Sequence, residues 1–156
     1  HASLPPMELE PPVDPDNPDP GLDPEVLCAA EGEGINMEAL AVDCPLMSSY
    51  RLFEDASDPT QNANNGGVIY DLTTPLFTDY ALKYRFVFVP EDGIAAYRNH
   101  SVFDFPVGTV IAKTFTVSED LRDKNASEEI IETRILIRRA SGWKALPYIW
   151  NADKTD

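Results

Sequence analysis

The chain has 156 residues, which is enough for one domain with a sizeable hydrophobic core. Its acidity is uneven: residues 1–60 carry 14 acidic side chains and one basic, whereas residues 61–156 carry 13 acidic and 11 basic. A polyanionic N-terminal region argues against nucleic acid and anionic membrane surfaces as partners. No apolar run reaches the roughly 18 residues that a membrane span requires, so no membrane span is expected.

Proline dominates the beginning of the chain. Eight of the 14 prolines fall in residues 1–25, together with several acidic residues. Proline fixes φ and lacks a backbone N–H, so this composition predicts an extended, semi-rigid spacer. We therefore divide the chain into an acidic proline-rich linker, 1–25, and a single β-rich domain, 26–156. Because such linkers join modules, we expect the domain to belong to a longer protein, from which any export signal has been removed.

The two cysteines, Cys28 and Cys44, flank a short irregular segment. Their spacing matches no zinc motif. A free pair remains open, but the favoured interpretation is one disulfide, which would stabilise the fold by roughly 3 kcal/mol in the chain-entropy model. A disulfide indicates an oxidising compartment, so a secreted, cell-surface or periplasmic location is predicted.

Short strand-like segments follow from residue 68 onwards. They lie at 68–72, 84–89, 94–97, 110–117, 130–137 and 143–150. The strongest is 110–117, where β-branched and aromatic side chains predict a pleated, half-buried strand. In 130–137, alternation predicts that Ile131, Ile135 and Ile137 face one way. Residues 140–142 (Ala-Ser-Gly) predict a tight hairpin.

Strands that recur every ten to fifteen residues without a long helix between them favour an all-β fold. We predict an antiparallel β-sandwich or a jelly-roll-like arrangement, with an irregular N-terminal extension. The opposite face of the 130–137 strand is polar, with Glu132, Arg134 and Arg138 at alternating positions. That face is either solvated or a docking surface.

Aromatic residues cluster near the end of the chain. Trp143, Tyr148 and Trp150 could stack on sugar rings, which makes them candidate ligand-binding residues, together with Asp104. Burial in the core is the alternative for the aromatic residues, because β proteins readily bury Trp and Tyr. The two tryptophans are seven residues apart, so strict alternation places them on opposite faces and at most one can line a planar platform.

Acidic residues in apolar surroundings are the weak candidates for a metal site. Asp71, Asp79 and Asp104 could act as acid and base or hold a cation, and His100 is the only histidine of the β-rich part. Turn capping or pairing with a nearby cation is the favoured explanation of these carboxylates. No nucleophile elbow, phosphate loop or dinucleotide fingerprint appears, so no catalytic residue is assigned and an enzyme remains an open alternative.

Four ordered segments resemble motifs of an uncharacterised bacterial domain. They are YDLTTPLFTDYALKYRF at 70–86, FDFPVGTVIAKTF at 103–115, ETRILIR at 132–138, and GW at 142–143 through WN at 150–151 with TD at 155–156. The resemblance runs from about residue 46 to the C-terminus. Domains of this kind look like parts of exported proteins that also carry c-type cytochrome domains, some with sugar-dehydrogenase-like or carbohydrate-binding modules.

This resemblance implies a non-catalytic accessory or docking domain of a secreted multidomain redox protein, with a possible link to polysaccharide breakdown. Its expected partner is a c-type cytochrome domain of the same chain or another redox partner, and a polysaccharide is a further candidate. The Cys-x-x-Cys-His motif for covalent haem is absent, so no haem of its own is expected in this fragment. The alternatives are a carbohydrate-binding β-module and a metal-dependent redox enzyme domain that uses Asp79, Asp104 and His100.

Overall fold

The fold is organised around one antiparallel sheet. The computed structural model describes Gly21, residues 23–123 and residues 125–156. Within these residues the sheet has five strands that neighbour each other in sequence order. They are β1 Val68–Ile69, β2 Leu82–Phe88, β3 Val110–Ser118, β4 Glu128–Arg139 and β5 Gly142–Ile149. A short helix, α1 (Pro24–Cys28), and 3₁₀ turns at Ala39–Ala41, Met47–Tyr50 and Asn64–Gly66 precede it.

The all-β class is confirmed, but the sandwich or jelly-roll arrangement is not. Among the described residues a single sheet forms, and an irregular segment covers one of its faces in place of a second sheet. The predicted short strand at 94–97 is reduced to one bridge between Ala96 and Asp104. Most of the predicted linker, 1–25, lies outside the described residues, and α1 begins at Pro24.

The hairpin of β4 and β5 forms where residues 140–142 predict it, since Arg139 pairs with Gly142 across the turn. Ile131 does not face the same way as Ile135 and Ile137, which corrects the sequence prediction. A bulge between β3 and β4 shifts the register, so Ile130 packs against the core and Ile131 is exposed. An extra residue in one strand reverses the alternation beyond it.

The irregular segment is cross-linked within itself by a disulfide and is joined to the sheet by buried hydrogen bonds. The predicted Cys28–Cys44 disulfide is confirmed, with a Cα–Cα distance of 5.6 Å. Arg139 reaches back from β4 and donates to the carbonyl oxygens of Leu40 and Val42 at 2.8 and 2.7 Å. It also pairs with Asp43 at 2.8 Å. Because the charge of this buried guanidinium is paired and its donors are satisfied, it can join the two layers without an unpaired ion.

The core lies between this segment and one face of the sheet, which we call the covered face. Its fully buried sheet residues include Val110, Ile135 and Ile137, and Phe53 of the segment packs edge-to-face against Phe86 at 5.3 Å. Apolar burial of this kind is the dominant favourable contribution to folding.

Threonines extend the covered face beyond the apolar part. Thr114 and Thr133 share a hydrogen bond at 2.9 Å, and the indole N–H of Trp150 donates to Thr133 at 3.0 Å. Thr116 donates to Glu128 at 2.6 Å. Since each hydroxyl has a partner, burial of this polar row leaves no orphan group among these residues.

No helix among the described residues is long and apolar enough to cross a bilayer. The disulfide is compatible with an extracellular or periplasmic protein.

Candidate functional site

The other face of the sheet, which we call the open face, carries the candidate site. Alternation sends every second side chain of β2 to β5 away from the irregular segment. Among the open-face residues are Val87, Ile111, Lys113, Leu136 and Trp143, and none of them is fully buried. Two connecting segments, 70–81 and 89–109, border this face and leave concave surface beside it.

An aromatic ridge stands on the connection between β2 and β3. It consists of Tyr97, Phe103 and Phe105, and it continues to Trp143 on β5. Successive ring centroids are 6.1, 5.9 and 5.9 Å apart, which are ordinary distances for tilted and edge-to-face aromatic contacts. Tyr97 and Phe103 nevertheless leave 73% and 51% of their surface exposed. The ridge is therefore preformed by ring contacts and still open to a partner.

An apolar groove of about 670 Å³ runs between the ridge and the sheet. Its walls combine ridge rings with aliphatic side chains of the strands and loops, among them Val87, Val89, Val102 and Ile111. Exposed apolar surface of this extent marks interaction sites more often than ordinary protein surface. The groove can accept an apolar side chain or ring from a binding partner.

A row of cations crosses the open face beside this groove. Arg85 on β2 lies opposite Lys113 on β3, which lies opposite Arg134 on β4, and Pro147 of β5 completes the row. Neighbouring strands are about 4.8 Å apart, so like charges are brought close together. We call the concavity above this row the cation cleft; its volume is about 500 Å³, and it shares Tyr70, Leu72 and Ile111 with the apolar groove.

Carboxylates offset part of this positive charge. Arg85 is almost fully buried and pairs with Asp71 at 3.1 Å, and Arg134 pairs with its neighbour Glu132. Burial and then the charges of Arg85, Lys83 and Arg134 lower the pKa of Lys113. The ammonium group of Lys113 lies 4.4 Å from the ring centroid of Phe115, two residues along the same strand.

The three aromatic candidates from the sequence are divided between the two faces. Trp143 lies on the open face and is 44% exposed, whereas Trp150 lies in the core and is 7% exposed. This agrees with the prediction that they occupy opposite faces. Tyr148 also lies on the covered face, where its hydroxyl donates to the carbonyl of Cys44 at 2.7 Å. Burial, followed by the hydrogen bond with Tyr50, raises the pKa of Tyr148. Of the three, only Trp143 is placed to meet a ligand from the open face.

The acidic candidates do not converge on one point. Asp104 pairs with Arg98 at 2.6 Å and lines a hollow of about 280 Å³ together with Trp143 and Arg138. Asp79 is exposed in a turn where its φ is 44°, and the exposed ring of His100 lies 3.2 Å from the amide nitrogen of Asn99. No cluster of three or more His, Cys, Asp or Glu side chains that could hold a metal ion forms among the described residues.

Comparison with known proteins adds no relative: no family model, no curated protein and no solved structure matches the chain. The geometry of the open face is therefore the observation on which a functional proposal can rest.

Sequence reasoning missed the aromatic ridge and the cation row in which Lys113 is central. The alternation of Phe103 and Phe105 was a usable signal, because alternate residues of an extended segment share a side. The cation row had no comparable signal, since it depends on a register between residues 28 and 21 positions apart.

Proposed function

We propose that this domain is a non-catalytic docking module of a secreted multidomain c-type cytochrome protein, and that it binds its partner through the apolar groove. The resemblance of four sequence segments supports the cytochrome context. The observation that carries the docking role is the aromatic ridge, whose rings are ordered by mutual contact and remain exposed. Preordered aromatic side chains make good interface anchors because little conformational entropy is lost on binding.

The covered face holds the irregular segment in place, which leaves the open face for docking. Two of its polar side chains hold the irregular segment: Arg139 donates to the carbonyl oxygens of Leu40 and Val42, and Tyr148 donates to that of Cys44. A partner that approached this face would have to displace the disulfide-linked layer. The open face needs no such rearrangement, so rigid docking is the expected mode.

The test is calorimetric titration of the domain with the neighbouring haem domain of its parent protein. Val102→Glu places a carboxylate at the mouth of the groove, where Val102 is 80% exposed, so folding should be preserved. We expect it to weaken binding at least about tenfold, because the charge would be desolvated in the interface. Val26→Glu on α1 is the matched control, since it introduces the same charge on an exposed valine outside the groove.

Absence of association with the haem domain would contradict the proposal. Equal weakening by both substitutions would also contradict it, because it would place binding elsewhere or make it a general effect of charge.

Carbohydrate binding is the second candidate, and the hollow beside Trp143 favours it. This hollow combines an exposed indole face with the polar side chains of Arg98, Asp104 and Arg138, and sugar sites need both a stacking ring and hydrogen-bonding groups. Pull-down on cellulose, chitin and xylan tests it, with Trp143→Ala as the variant that should lose retention. If the wild-type domain is retained on none of these polymers, the candidate fails for them.

A further inference from the structure

The cation cleft has charge that the docking proposal does not use. Asp71 forms an ion pair with Arg85, and Glu132 forms one with Arg134. Lys113 lies between them. The charge of Glu132 acts on it from a distance, but no carboxylate of the described residues forms an ion pair with it, and its ammonium group lies over the ring of Phe115. The central cation of the row is therefore the one whose charge is left for a ligand.

This arrangement is unfavourable in the absence of an anion. Like charges directly opposite each other on neighbouring strands destabilise a sheet, and here two such pairs lie in series. Burial and the flanking cations already lower the pKa of Lys113, which reports the same strain on its charged form. A bound anion would relieve both contributions at once. Sequences that break a local rule in this way tend to do so at functional sites.

The walls of the cleft define what else the ligand must carry. Apart from the cations, they are largely apolar, and they include Leu72, Ile111, Leu136 and Pro147. The volume of about 500 Å³ lies within the range of about 300–1,000 Å³ that small-molecule sites occupy. A small inorganic anion would leave these walls wet, whereas an organic anion would cover them.

We infer that the cation cleft binds an organic carboxylate with an apolar body. The carboxylate lies on the Lys113 ammonium between the guanidinium groups of Arg85 and Arg134, and the apolar body lies against Ile111, Leu136 and Pro147. Guanidinium and ammonium donors form the strong, charge-assisted hydrogen bonds that carboxylates prefer. This site goes beyond the docking role, because it takes a small molecule and its binding groups are the cations of β2, β3 and β4.

The test compares three probes by NMR titration of the ¹⁵N-labelled domain: 4-phenylbutyrate, 4-phenylbutan-1-ol and inorganic phosphate. We expect the carboxylate to bind at least about tenfold more tightly than either of the others, which corresponds to about 1.4 kcal/mol. The amide shifts that accompany binding should centre on β3 and β4. Phosphate supplies charge without an apolar body, and the alcohol supplies the body without charge.

Substitutions then assign the binding to the central cation. Lys113→Met keeps the length of the side chain and should weaken 4-phenylbutyrate binding at least about tenfold, while Lys113→Arg should largely retain it. Lys154→Met is the matched control, because Lys154 pairs with Glu129 and contributes nothing to the cleft. Amide spectra of the free variants establish that each is folded.

Three results would overturn the inference: no binding of 4-phenylbutyrate at millimolar concentration, equal affinity for the alcohol or for phosphate, or unchanged affinity in folded Lys113→Met. Each is separable from failure of the docking proposal. The haem-domain titration depends on Val102 and the groove, and it can succeed whether or not the carboxylate binds.

Discussion

The two faces of the sheet differ in how their side chains are satisfied. On the covered face, Ile135 is fully buried, and Thr133 shares its hydroxyl with Thr114 and the indole of Trp150. On the open face, one residue along the same strand, Leu136 is 38% exposed and Arg134 belongs to a row of like charges. The same strand therefore places buried, hydrogen-bonded side chains on one side of the sheet and partly exposed side chains on the other.

This difference separates stability from recognition. A face whose buried threonines and tryptophan bond to one another has little to offer a ligand, but its loss would unfold the domain. A face with exposed rings and a lysine without an ion pair contributes less to the free energy of folding. Its side chains can still form favourable contacts with a ligand. Substitutions at neighbouring positions of one strand should therefore have opposite kinds of effect.

Truncation of neighbouring residues on β4 should show the largest contrast. Ile135→Ala leaves a cavity in the closed core and is expected to cost about 2–5 kcal/mol of the free energy of unfolding. Leu136→Ala removes a side chain that is more than a third exposed and should cost less than about 1 kcal/mol. Urea unfolding of both variants measures the difference. Equal losses would mean that the open face is packed as tightly as the covered one.

Loss of the disulfide should have the next largest effect, because it removes the cross-link inside the irregular segment that covers the sheet. Cys28 and Cys44 are 16 residues apart, and opening a loop of this size costs about 3 kcal/mol in the chain-entropy model. Replacement of both cysteines by alanine should lower the free energy of unfolding by about that amount. The rings of the aromatic ridge contact one another and Trp143, so the amide shifts of residues 97–105 should change little. Large shifts there would show that the two faces are coupled.

A smaller effect is expected at alkaline pH, on the polar end of the covered face. Burial, followed by the hydrogen bond and the charge of Glu128, raises the pKa of Tyr84 to about 12. The folded state holds the phenolic proton more tightly than the unfolded state, in which the pKa has its ordinary value of about 10. The contribution of Tyr84 to stability is thus complete below about pH 10 and is lost as the pH rises through about 12.

Tyr84→Phe removes this titration, so its free energy of unfolding should fall less steeply between pH 9 and pH 11 than that of the wild type. Urea unfolding at the two pH values gives the slopes. Identical slopes would mean that the phenol is not held by Glu128 in the folded state. Phe77→Ala, on an exposed ring, serves as the control that should leave the slope unchanged.

Much of the sheet was predictable because alternation is a local property of the chain. The β3 and β4 strands and the hairpin at residues 140–142 follow from side-chain pattern and turn residues. The side-chain pattern did not predict which face of the sheet the irregular segment covers. Ile111, Phe115 and Val117 make the more apolar face of β3, yet Ala112, Thr114 and Thr116 are the buried ones. Threonines become good core residues only when distant partners such as Thr133 and Glu128 accept or donate hydrogen bonds, and those partners are set by tertiary structure.

The bulge at Ile131 and the cation row escaped prediction for the same reason. Both depend on the register between strands, which short-range pattern does not encode. The ligand-binding residues predicted from the sequence therefore do not share one face. Trp150 and Tyr148 lie in or beside the core, whereas Trp143 and Asp104 border the hollow on the open side. The disulfide was within reach because only two cysteines are present.

The two tryptophans provide the most direct test of the central claim that binding uses the open face and leaves the covered face unchanged. Labelling with 5-fluorotryptophan gives two ¹⁹F resonances, which Trp143→Phe assigns. On addition of the haem domain, the Trp143 resonance should move while the Trp150 resonance keeps its position. Movement of the Trp150 resonance alone would contradict the account.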